Sequence, residues 1–100
     1  MLKVFVPNKS AHNFSDALRF GELVFLTSGT VNKYAINSLY RELSEGLQNS
    51  SEQDHLMISS LAILNSICSA IFARKHGKVN YLLFRDGKYI SRTIDIDALI

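Results

Sequence analysis

The sequence predicts one α/β domain over residues 1–100, with a mixed sheet of about five strands and two main helices in the order β-β-α-β-α-β-β. Three observations lead there. Two apolar runs, Glu22 to Thr27 and Leu56 to Ile58, each pass through a short Ser/Gly/Thr turn into a helical pattern, which is how crossover units read. Asp86-Gly87 sits between two strand-like runs, a strong short signal for a hairpin because both turn positions require positive φ. The composition, 47% hydrophobic and 20% charged, suits a globular core rather than a disordered chain.

Taken in order, Leu2 to Val6 places Leu2, Val4 and Val6 on one face of a strand that Pro7 ends. Asn8 to Gly21 is a long polar connection, in which Ser15 would cap one helical turn that packs Ala17, Leu18 and Phe20 inward. Leu23 to Leu26 are four consecutive apolar residues, so this strand should be buried on both faces. Thr30 or Asn32 should cap the next helix, whose stripe is Ile36, Leu39, Tyr40, Leu43 and Leu47.

The second helix, Leu61 to His76, carries one stripe of Leu64, Cys68, Ile71 and Phe72 and another of Ile63, Ile67 and Ala70. A helix this apolar around its girth should be covered on more than one side. Arg74, Lys75 and His76 suit the negative end of its dipole, and Gly77 the position after it. Lys78 to Arg85 is apolar on both faces and belongs inside the sheet. Lys88 to Ile96 alternates Ile90, Ile94 and Ile96 with Ser91, Thr93 and Asp95 and belongs at an edge, where Lys88 and Arg92 oppose further pairing. A two-residue loop sets Phe84 opposite Tyr89, Leu83 opposite Ile90 and Tyr81 opposite Arg92.

Two crossovers in one direction put both helices on one face of the sheet. The other face must then be covered by the Asn8–Gly21 connection, by a helix after a reversal of strand order, or by a second copy. The leading expectation is a non-catalytic binding or protein-interaction module that self-associates as a homodimer, another protein partner being the variant of that reading.

The alternative is a small-ligand or enzymatic site for phosphate or carboxylate at the carboxyl ends of the parallel strands. Ser28, Gly29, Thr30, Ser59 and Ser60 would offer hydroxyls and helix-start N–H groups there, and Asn65, one turn on, would point at the same crevice. The same residues also serve as ordinary caps and turn formers. No phosphate-loop or dinucleotide fingerprint is present.

A third reading is nucleic acid, bound by Arg74, Lys75, His76, Lys78, Arg85, Lys88 and Arg92 beside Tyr81, Phe84 and Tyr89; the net charge of +2 gives it little weight. Cys68 reads as core filler rather than a nucleophile. His12, His55 and His76 lack metal-ligand spacing, and Asp95-x-Asp97 reads as edge charges rather than a cation site, so no metal and no cofactor are expected. No catalytic residue is assigned. The single cysteine excludes an internal disulfide, and MLKVFVPNKS has no signal-peptide pattern, so a cytoplasmic location without membrane insertion is expected. Ala17 to Gly29, ALRFGELVFLTSG, is similar to a stretch near the start of the RidA family of imine deaminases. That family's downstream arginine and proline-bearing signature has no counterpart here, so no function carries over.

Overall fold

The computed structural model describes residues 1–97. They form a five-stranded sheet of β1 (Lys3–Val6), β2 (Glu22–Phe25), β3 (His55–Met57), β4 (Lys78–Arg85) and β5 (Lys88–Asp95), with helices α1 (Ile36–Gly46) and α2 (Ala62–His76) and a 3₁₀ segment (Ser15–Phe20). The strand order is β2-β1-β3-β4-β5. The first four strands are parallel and β5 is antiparallel to β4. The hairpin pairs Phe84 with Tyr89, Leu83 with Ile90 and Tyr81 with Arg92, and both of its turn residues have positive φ, 51° at Asp86 and 81° at Gly87.

The chain steps one way from β1 to β2 and the other way from β2 past β1 to β3 and on to β4. With crossovers of one hand, that reversal sends the first connection to the face opposite the helices. Two cores result. Leu39, Leu43 and Leu47 around α1 and Leu64, Cys68 and Phe72 of α2 pack on Phe5, Leu56 and Val79. On the other face Ala17, Phe14 and Phe20 pack on Val4, Val6, Met57, Leu82 and Tyr89. The chain's own Asn8–Gly21 connection therefore covers the far face, and no second copy is needed there.

That cover is fastened by polar contacts. Asp16 accepts the Tyr89 N–H at 2.6 Å and the Arg19 Nε–H at 3.2 Å, while Arg19 also donates to the Tyr89 carbonyl. The Tyr89 amide above all, aided by the Arg19 guanidinium, holds the Asp16 carboxyl below its ordinary range. Gly21 then turns the chain into β2 with φ of 153°, so close to β1 that a Cβ would lie 2.6 Å from the Leu2 carbonyl oxygen.

Several local expectations change. β2 is an edge strand, so Leu23 and Val24 are only half-buried and Phe25 is exposed; its apolar run reflects packing on one neighbour, not two. Leu18 points outward because a 3₁₀ turn brings only Ala17 and Phe20 of the predicted trio to the sheet. Ser15 does not cap that turn; Asn13 Oδ1 accepts its N–H instead, at 2.9 Å. Neither Thr30 nor Asn32 caps α1, which starts after Ala35; Asn32 Oδ1 accepts the Tyr34 N–H and shapes the turn before it. On β5 the buried side chain is Tyr89, on the Ser91 and Thr93 face beneath the 3₁₀ segment, whereas Ile94 is exposed.

Candidate functional site

Strands β1, β2 and β3 end on one edge, and the reversal of strand order falls between β1 and β3, where open α/β sheets hold ligands. The loops after β1 and β2 are tied together there. Thr27 Oγ1 donates to the Pro7 carbonyl at 2.7 Å and also lies 2.8 Å from Asn8 Oδ1; the Lys9 N–H donates to the Thr27 carbonyl at 2.8 Å. This link divides the edge into two hollows.

The larger hollow, about 560 Å³, is lined by Ser28, Thr30, Asn32, Lys9 and Glu42 over Leu26 and Leu39. The smaller, about 190 Å³, lies at the reversal point and is lined by Ser59, Ser60, Asn8, Ser10 and His12 over Val6 and Met57. The six residues singled out in the sequence are thus not gathered in one crevice. Gly29, with φ of 71°, shapes the turn after β2 and lines neither hollow.

Asn65 turns back on its own loop. Its Oδ1 accepts the Ser59 N–H at 2.8 Å and lies 3.1 Å from Ser59 Oγ, and its Nδ2 donates to the Ser59 carbonyl at 2.9 Å. Ser59 Oγ in turn accepts the Leu61 N–H at 3.2 Å. These bonds brace the turn from β3 into α2, and the Leu61 carbonyl then accepts the Leu64 and Asn65 N–H groups of the helix itself.

Sequence reasoning missed an aromatic row along this edge. Ring centroids run from Phe25 to Phe14 at 5.6 Å, Phe14 to His12 at 5.2 Å, His12 to Phe84 at 4.7 Å and Phe84 to Tyr89 at 5.0 Å. Tyr89 is buried beneath it, while Phe84 is 50% and Phe25 37% exposed. Lys9 Nζ lies 5.3 Å from the Phe25 centroid. The polar neighbours of His12 in the chain are occupied: Asn13 and Asp16 bind backbone groups, and Ser10 Oγ accepts the N–H of His12. The rings come from three separate segments, so the sequence signals were only the Asp86-Gly87 turn, which pairs Phe84 with Tyr89, and the length of the first connection.

A second surface lies on the outside of the helices. Ile36 and Tyr40 of α1, 43% and 57% exposed, meet Ile67, Ala70 and Ile71 of α2 in a groove of about 640 Å³ that ends at Arg74 and Lys75. Ile67 and Ala70 of the second stripe lie here with Ile71 of the first, while Ile63 packs against the core. The predicted basic cluster is dispersed by its partners. Lys75 Nζ donates to the Leu47 and Gln48 carbonyls that follow α1, at 3.0 Å for Leu47; Arg85 faces Asp86 at 3.7 Å, and Arg92 donates to the Ser91 carbonyl.

The remaining titratable groups sit in the frame. Burial pushes the Cys68 thiol up to about 12. His55 is held below its usual value by burial; its Nε2 lies 3.0 Å from Ser91 Oγ, and its buried Nδ1 has no partner among the described residues. His76, also lowered chiefly by burial and next by Lys75, lies 2.9 Å from Ser50 Oγ. Among the described residues no group of three or more His, Cys, Asp or Glu could hold a metal ion, and no helix is long and apolar enough to cross a membrane.

The sequence model of one protein family, described as phage Pam3 gp32-like protein, matches residues 2–96. No curated protein and no solved structure matches.

Proposed function

The chain belongs to the phage Pam3 gp32-like family, and we propose that it is a non-catalytic interaction module that pairs with a second copy of itself through the outer face of α1 and α2. The observation that carries this reading is the groove of Ile36, Tyr40, Ile67, Ala70 and Ile71. The far face of the sheet is closed by the chain itself, and this groove gathers apolar side chains of both long helices on one outer surface. An isologous pair would bury both grooves at once, and the two flanking cationic residues would stay at the rim.

Size-exclusion chromatography with light scattering tests it. The wild-type chain should run as a dimer at micromolar concentration, and Tyr40→Glu or Ile67→Glu should run as a folded monomer. A wild-type monomer across the concentration range would sink the reading.

A further inference from the structure

We infer that Asp16 and Arg19 stand in for a sixth strand: together they block the outer edge of β5, which without them pairs with the same edge of a second copy. This surface is separate from the groove of α1 and α2 and does not depend on pairing there. The register of the hairpin fixes which groups the edge exposes. The Ile96 N–H donates to the Gly77 carbonyl at 3.0 Å, so Gly77 and Ile96 are a hydrogen-bonded pair. Such pairs alternate along an antiparallel ladder, so the backbone groups of Ile94, Arg92, Ile90 and Lys88 also face β4. Those of Tyr89, Ser91 and Thr93 therefore point away from the sheet, on the side where β5 has no neighbouring strand.

The two side chains treat Tyr89 as a neighbouring strand would. In an antiparallel hydrogen-bonded pair each residue accepts its partner's N–H and donates to its partner's carbonyl. Asp16 Oδ2 accepts the Tyr89 N–H at 2.6 Å, and the Arg19 guanidinium donates to the Tyr89 carbonyl. Asp16 and Arg19 are themselves joined at 3.2 Å, so the substitute is held as a unit. Further along, the Arg92 guanidinium donates to the Ser91 carbonyl at 2.8 Å. Among the described residues nothing bonds the Ser91 N–H or the Thr93 N–H and carbonyl. A row of unpaired N–H and C=O groups is a template for another chain. The occupant is a second β5, because antiparallel pairing about a two-fold axis matches this edge with itself, donors to acceptors. The far-face core draws on Phe14, Ala17 and Phe20 of the first connection, whereas the bonds of Asp16 and Arg19 are spent at the edge.

The test is made in the Tyr40→Glu background, so that pairing through the helices neither helps nor hinders it. Asp16→Ala with Arg19→Ala is followed by light scattering and amide hydrogen exchange over a rising protein concentration. The expected result is a mass that rises about twofold, from monomer in dilute solution to dimer, while the Ser91 and Thr93 amides become slower to exchange. With Asp16 and Arg19 intact, the same background should stay monomeric and leave those two amides fast. Thr93→Pro, added to the double variant, removes an outward N–H without touching the β4 ladder and should restore the monomer. Arg19→Ala alone keeps the Asp16 bond and frees only the Tyr89 carbonyl; it should pair more weakly, and it replaces the double variant if that one lacks a cooperative melt. Three results would overturn the inference: a folded variant that stays monomeric throughout, association in which the Ser91 and Thr93 amides exchange as freely as before, or a dimer that Thr93→Pro does not disperse.

Discussion

Gly21 has both a backbone angle reserved for glycine and a neighbour too close for a side chain. Gly21→Ala should cost about 1–3 kcal/mol from the backbone alone, more from the clash with Leu2, and urea unfolding would show it as a lower midpoint. His55 makes a pH prediction. Its folded-state value lies below the ordinary 6.5, so as pH falls the unfolded chain takes up a proton first. Stability from this group is whole above about pH 6.5 and is lost as pH drops toward the folded value. His76 is shifted the same way and adds to the fall. Thermal melts should therefore be flat from neutral to mildly basic pH and drop in acid, and His55→Gln should make the drop shallower. Cys68, with its thiol raised by burial, should resist thiol reagents in the folded protein and react once denaturant is added.

At the scale of elements, the 3₁₀ segment carries the argument. Asp16, Arg19 and Phe20 attach it to β5 and β3, and loss of Asp16 removes the acceptor for the Tyr89 amide. Asp16→Ala should speed hydrogen exchange at the Ala17 and Tyr89 amides and leave the amides of α2 protected; uniform protection would count against the clasp. Helices and hairpin were legible in the sequence, because α1 announces itself by period, α2 by a long apolar run ending in Arg74, Lys75, His76 and Gly77, and Asp86-Gly87 by turn chemistry. The fate of β2 was not. Four apolar residues in a row look alike at an edge and at the centre, and only pairing decides. The site was legible in part: Ser59 and Asn65 do meet, but as bonding partners of each other, while the rings of His12, Phe14, Phe25 and Phe84 converge through long-range packing that no spacing encodes.

At the scale of the whole molecule, the choice among covers for the second face turned on the direction of the first crossover. Strand order settles it, and strand order is a property of the entire sheet rather than of any one segment. The outer groove of α1 and α2 is the surface proposed to meet a second protomer. If it does, stability is linked to concentration, and the melting temperature should climb as the protein is concentrated, while Tyr40→Glu should melt at one temperature throughout. A wild-type melting point independent of concentration would contradict the pairing.

The far-face core joins Val4, Val6 and Ala17 to Leu82 and Tyr89. During synthesis, then, β1 and the 3₁₀ segment have to wait for the hairpin to emerge from the ribosome before their apolar side chains find their seats. Until that moment the nascent chain carries an unfinished sheet whose apolar side chains need shielding in the cell.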